Sequence, residues 1–144
     1  FAEGEKVVKE TLERFGVEGN SYSFADGSGL CRYNYISPAL IVKLLRNMHY
    51  HPQGEVFRQS LPIAGVDGTI RSRMKGTVAQ NNIYAKTGTI SNARCLSGYA
   101  TTKDGETLVF STMFNNFICS VNVVTDIQDR ICMLLTAFSR KNAD

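Results

Sequence analysis

In Ile83–Asn115, IYAKTGTISNARCLSGYATTKDGETLVFSTMFN, the apolar residues change from a helical spacing to a period of two. Alternation over four or more residues is the mark of a half-buried strand. The stretch predicts three strands, over residues 82–89, 94–102 and 106–115. Lys103-Asp104-Gly105 separates the last two, and Asp-Gly is a strong hairpin signal. Strands joined this closely run antiparallel.

Helical patterns flank the strands. After them, Val124, Ile127, Ile131, Leu134, Leu135 and Phe138 mark one face of a helix expected over about 121–140. Asp126 lies near its start, with Arg140 and Lys141 near its end, as the helix dipole prefers. Before them, Ser37-Pro38 gives an N-cap followed by a first-turn proline, and Ile41, Leu44, Leu45 and Met48 set a helix over 38–50. His51-Pro52 ends it. Residues 3–15 read as an amphipathic helix with Val8, Leu12 and Phe15 on one face. Glu5–Lys9 and Glu10–Arg14 are its expected i,i+4 pairs, and Gly16 its stop. A short helix is expected over 54–61 and one helical turn near Thr69–Arg73. Residues 17–36 and the rest of Pro62–Asn82 read as loop. The expected class is α/β of the α+β type, with three antiparallel strands and flanking helices. One helix on such a sheet leaves an edge and a face uncovered, as half of a domain would, and a free edge permits self-association.

Composition narrows the function. Sixteen Lys and Arg against 13 Asp and Glu leave a net charge of +3, with both signs mixed along the chain. No basic stripe points to nucleic acid. The apolar runs are too short to cross a membrane, and no signal peptide opens the sequence given. Cys31, Cys95, Cys119 and Cys132 lack the spacing of a zinc site, so no metal is expected. Most are expected to be small buried apolar residues. A cysteine hydrolase would need a histidine partner, and His49 and His51 both fall at a helix end.

Two stretches carry chemistry. Lys86-Thr87-Gly88-Thr89 lies on the first strand, where alternation puts Lys86 and Gly88 on one face and Thr87 and Thr89 on the other. Lysine offers a charge for a carboxylate or proton relay, and threonine a hydroxyl. Glycine lets a substrate backbone approach closely. A strand edge so equipped binds an extended peptide as a further strand, or is simply a solvated surface strand. The second stretch is Asp26-Gly27-Ser28-Gly29-Leu30-Cys31-Arg32-Tyr33-Asn34. Asp26 can satisfy backbone donors in a tight turn, and Arg32 offers a planar fork to a carboxylate. Equally, Asp26 and Asn34 only pin the loop. Ser28 lacks the strand-to-helix context of a nucleophile elbow.

Taken with Ser37-Pro38-Ala39 and Leu61-Pro-Ile-Ala-Gly-x-Asp-Gly-Thr69, these stretches resemble the penicillin-binding-protein-4-like D-Ala-D-Ala carboxypeptidase/endopeptidase family, the S13 serine peptidases. The resemblance spans about residues 5–115, in the family's order. It implies that residues 1–144 are the C-terminal portion of one penicillin-binding catalytic domain with the β-lactamase-like transpeptidase fold. It also implies three active-site boxes: Ser-x-x-Lys with the acylated serine, Ser-x-Asn, and Lys-Thr-Gly. Only the third is expected here. Ser21-Tyr-Ser23 and Ser120-Val-Asn122 are not read as the second, which belongs upstream of the Asp26 loop.

The roles implied are these. Lys86 binds the substrate or β-lactam carboxylate and tunes the proton relay, and Thr87 hydrogen-bonds that carboxylate. Gly88 keeps the strand open, and the Thr89 N–H serves the oxyanion hole. Arg32 meets the end of the stem peptide's third-residue side chain, with Ile90 and Ser91 bordering that pocket. Asp26 and Ser28 shape the same substrate loop. Cys31 stands where a serine is more familiar. The implied reaction is acyl transfer on peptidoglycan stem peptides in the periplasm or cell exterior, with no cofactor. That setting permits a disulfide. The partners implied are a stem peptide or β-lactam and the remaining N-terminal part of the domain. A chain with one box is expected to be inactive alone. The competing readings are a stand-alone, non-catalytic peptidoglycan-peptide-binding module, and a class A β-lactamase, which would not be expected to carry the Asp26–Asn34 loop.

Overall fold

The computed structural model describes residues 2–142. Its centre is a three-stranded antiparallel sheet in the order β1-β2-β3, formed by Ile83–Ile90, Ala93–Thr101 and Thr107–Asn115. Each strand falls within a residue of its expected bounds. β1 and β2 meet at the two-residue loop Ser91-Asn92, where Asn92 adopts a positive φ of 58°. Asparagine tolerates that conformation better than most residues. β2 and β3 are joined by Thr102–Glu106, with Gly105 at a φ of +83°. The Thr102 hydroxyl accepts from the Glu106 N–H at 2.9 Å and donates to Asp104, closing the turn.

Residues paired directly across an antiparallel sheet share a face, so the register assigns every side chain. Ile83, Ala85, Leu96, Ala100 and Phe110 share one face. They form the main core with Cys132, Met133 and Leu135 of α4 (Val121–Ala137). Tyr84, Tyr99 and Val109 lie on the other face. There they pack with Ile41, Leu44 and Leu45 of α2 (Pro38–Tyr50) and with Phe57 of α3 (Gly54–Gln59). The buried Tyr99 hydroxyl donates to the Leu45 carbonyl at 2.7 Å, tying α2 to β2. The expectation of a bare sheet face is therefore corrected: helices cover part of both faces. The Ser37 side chain caps α2 as expected, accepting from the Leu40 N–H at 3.2 Å.

The apolar count misassigns the face of α4. Its buried residues are Val124, Gln128, Cys132 and Thr136, spaced at i+4, while Ile127, Leu134 and Phe138 are exposed. The helix also ends at Ala137, so Arg140 and Lys141 lie in a separate 3-10 turn. Arg140 does not complement a helix dipole. Its N–H donates to Asp104 and its guanidinium pairs with Glu106 at 2.7 Å. In α1 (Ala2–Arg14), Lys9 pairs with Glu5 at 2.6 Å as expected. Arg14 turns to the Glu10 carbonyl and the Thr11 hydroxyl, leaving Glu10 to Lys6. Only Leu12 of the expected apolar face is buried. Among the described residues no helix is long and apolar enough to cross a membrane.

Candidate active site

The site begins with the outer edge of β1. Its first half is occupied: the Ala64 N–H donates to the Ile83 carbonyl at 3.0 Å, and the Ala85 N–H to the Pro62 carbonyl at 2.9 Å. Backbone groups point alternately in and out along an edge strand. The next outward pairs therefore belong to Thr87 and Thr89. By then the covering segment has turned away. Gly65 and Gly68 have φ of +72° and +56°, and the Asp67 carboxylate accepts from the Ile63 N–H at 2.6 Å. A side chain at Gly65 would collide with Gln80, and one at Gly68 with Pro62. Among the described residues, nothing outside the sheet accepts from the Thr87 or Thr89 N–H. The edge opens where the Lys-Thr-Gly stretch starts.

Register confirms the expected split of side chains. Lys86 pairs with Ser97 and Gly88 with Cys95, on the α2 face. Lys86 is exposed, and its Nζ donates to the Thr87 carbonyl at 2.7 Å, an outward-facing acceptor. A Cβ at Gly88 would sit 3.4 Å from the Cys95 Cβ, an ordinary contact, so the fold itself does not demand glycine there. Thr87 and Thr89 face the α4 side. The Thr87 hydroxyl donates to the Thr69 hydroxyl at 3.0 Å, and the Thr89 hydroxyl accepts from Arg94 Nη1 at 3.1 Å. Ile90 ends β1, partly exposed, and Ser91 opens the hairpin loop beside it.

Thr69 and Arg73, quoted from sequence only as part of a motif and a turn, had no role expected at the site, and neither did Arg94 or Gln128. Gln128 is fully buried. Its Nε2 donates to the Arg94 carbonyl at 3.4 Å and to the Thr112 hydroxyl at 3.3 Å, and its Oε1 accepts from Arg73 at 3.2 Å. Arg73 is also paired with Asp129 at 2.7 Å. A polar chain thus runs from the Thr69 segment through α4 to β2, directly behind Thr89. The paired i, i+1 polar residues Gln128-Asp129 inside an apolar helix pattern were the one signal available.

The Asp26–Asn34 loop is self-contained. The Asp26 carboxylate accepts from the Ser28 N–H at 3.0 Å and the Ser28 hydroxyl at 2.8 Å, while Asn34 bonds the backbone of Ala25 and Asp26. The Ser28 bonds, with a smaller contribution from Asn34, hold the Asp26 carboxyl below its ordinary value. Arg32 is exposed and makes no ion pair among the described residues. No hydrogen bond joins this loop to β1. Asp26 and Ser28 instead line a shallow groove with Gly4, Glu5 and Val8 of α1.

The sequence profile of the D-Ala-D-Ala carboxypeptidase 3 (S13) family matches residues 1–138. The chain belongs to that family. It is 36% identical over 141 residues to a D-alanyl-D-alanine carboxypeptidase of Actinomadura sp. (strain R39), covering 94% of this chain and 26% of that protein. It is 32% identical over 120 residues to the D-alanyl-D-alanine carboxypeptidase DacB of Haemophilus influenzae, covering 81% and 25%. It also superimposes on penicillin binding protein 4 (dacB) from Haemophilus influenzae, solved in complex with a β-lactam. The TM-score is 0.84 at 26% identity, over 94% of this chain and 33% of that one. The chain spans about a quarter of the length of these curated relatives.

Although only the third box is expected, this S13 chain contains one tetrapeptide with Ser-x-x-Lys spacing, Ser72-Arg73-Met74-Lys75. It follows the Gly68–Thr69 turn, whereas the resemblance places the box upstream. Met74 has a positive φ of 58°, so the four residues do not form the helical turn that brings i and i+3 side chains together. Both Ser72 and Lys75 are exposed, and no hydrogen bond links them. The cysteines correct another expectation. All four are free, and only Cys132 is fully buried. Its thiol is pushed up to about 12, first by desolvation and then by the Asp129 charge. Cys95 and Cys31 are half-buried, and Cys119 is exposed.

Proposed function

We propose that this chain supplies the Lys-Thr-Gly wall of a serine-type D-Ala-D-Ala carboxypeptidase site, with the nucleophile coming from residues outside it. The observation that carries this reading is the outer edge of β1. Pro62–Ala64 occupy it up to Ala85 and, among the described residues, leave the outward N–H groups of Thr87 and Thr89 open, while the Thr87 carbonyl accepts from Lys86. An extended stem peptide would continue along that edge as an added strand. Lys86 would then exchange its bond to the Thr87 carbonyl for the substrate. There it would stabilise the carboxylate and hold the relay lysine's proton balance by charge. The Thr87 hydroxyl would meet the terminal carboxylate. The Thr89 N–H would face the oxygen that gains negative charge.

The reaction in this reading is acyl transfer. The serine oxygen attacks the carbonyl of the penultimate D-alanine, the C–N bond breaks, and D-alanine leaves with the proton. Water then hydrolyses the ester and frees the serine. A β-lactam would enter the same way, its amide carbonyl taking the serine. Arg32, Ile90 and Ser91 would border the stem peptide's third side chain, and the Asp26–Ser28 bonds would hold the shape of the Arg32 loop. The work would be done where peptidoglycan lies, outside the cytoplasm. The same edge also supports the second reading, a binding module without catalysis, because Ser72 has no helical lysine partner.

The test is a titration of the isotopically labelled chain with a D-Ala-D-Ala-terminated stem peptide, followed by amide NMR. Shifts centred on Thr87–Ile90 are expected. Shifts elsewhere, or none at millimolar peptide, would overturn the assignment of the wall. Affinity matching that of an intact S13 enzyme would favour the binding module.

A further inference from the structure

We infer that Arg94 is a specificity residue for the free terminal carboxylate of the substrate; this rests on the β1-edge reading and names what that edge selects. Arg94 lies in β2 directly opposite Thr89. Its Nη1 donates to the Thr89 hydroxyl at 3.1 Å, which places the guanidinium beside the open half of the edge. The side chain is half-buried, yet no carboxylate pairs with it among the described residues. The hydroxyls of Thr87, Thr89 and Thr69 share that side of the sheet or join it by hydrogen bond. Lys86 lies on the opposite side, so two cations flank one strand.

The backbone of Arg94 is braced from the core. Its carbonyl is held by the buried Gln128, which is held in turn by Arg73 and Asp129. A site that positions a group through locked neighbours keeps its geometry when ligand arrives. Bracing an exposed threonine hydroxyl requires neither a positive charge nor a planar fork. A carboxylate uses both, because a guanidinium matches its two oxygens with parallel N–H bonds. Lysine on the other face cannot supply that geometry.

The experiment compares two ligands on the full labelled chain: diacetyl-Lys-D-Ala-D-Ala and its C-terminal amide, each titrated while the Thr87–Ile90 amides are followed. The native chain is expected to favour the carboxylate by about tenfold, the scale of one charge-assisted pair. In Arg94→Gln the preference should fall by at least about threefold, to what Lys86 and Thr87 retain, and in Arg94→Lys by less, since charge remains without the fork. A full preference retained in a folded Arg94→Gln overturns the inference and leaves the edge reading standing. Should Arg94→Gln lose its dispersed amide spectrum, Arg94→Lys decides: an unchanged preference there overturns the inference. If neither ligand shifts the Thr87–Ile90 amides of the native chain, the edge reading itself fails, and the inference with it.

Discussion

Two glycines of the sheet should respond oppositely to the same substitution. A Cβ at Gly98 would sit 2.0 Å from the Tyr84 carbonyl oxygen and 2.7 Å from the Ala85 Cα. Both atoms are backbone of the paired strand β1, which cannot retreat without breaking the β1–β2 ladder. Gly98→Ala should cost at least about 3 kcal/mol, the upper part of the range for overpacking. For a chain of this size that lowers Tm by about 10 °C. At Gly88 the nearest atom would be the Cys95 Cβ at 3.4 Å. Gly88→Ala should change stability by less than about 1 kcal/mol, and in the stabilising direction, because alanine loses less chain entropy on folding. It should nonetheless weaken stem-peptide binding, since the Lys86 side of the strand would no longer be open. Thermal unfolding followed by circular dichroism measures both. A Gly98→Ala Tm equal to the native value, or a Gly88→Ala loss larger than that of Gly98→Ala, would refute the packing argument.

Three further outcomes follow from the same contacts. Arg73→Ala removes the cation from the nearly buried Asp129 and a donor from Gln128, and should cost about 3 kcal/mol in urea unfolding; a loss under about 1 kcal/mol would contradict the network. The Asp26 carboxyl, bonded by Ser28, and the Asp104 carboxyl, bonded first by the Thr102 hydroxyl, both ionise below their ordinary value of 3.8. The unfolded chain therefore takes up these protons first, so stability present above pH 3.8 is lost as pH falls through the folded values. Asp104→Asn should flatten part of that fall in a Tm series from neutral to acid pH, and an unchanged slope would count against it. With a chromogenic disulfide reagent, the exposed Cys119 should react first and Cys132 only as fast as the chain unfolds; early labelling of Cys132 would refute its burial.

The sheet was legible because period two survives in all three strands and Asp104-Gly105 marks a turn. Alternation alone placed Lys86 and Gly88 opposite Thr87 and Thr89. The face of α4 was not legible, because its apolar residues surround more than one stripe while the buried row includes Gln128 and Thr136. Polar residues that are buried through long-range bonds leave no apolar period to count. The same reason hid Arg94 and Thr69, whose importance lies in bonds to Thr89 and Thr87. The Pro62–Asn82 segment read as irregular apart from one helical turn near Thr69–Arg73, and it is, with a 3-10 turn at Gly68–Ile70; what was invisible is that its backbone pairs with β1 and stops at Ala85. Arg32 could be named as a carboxylate fork, but among the described residues no bond brings it to the Lys86 edge.

The most direct test of the central claim, a chain that provides one wall and no nucleophile, is intact-mass spectrometry after incubation with excess penicillin. No covalent adduct is expected on this chain, with Ser72 unmodified. A stoichiometric penicilloyl adduct, on Ser72 or any other residue, would contradict it.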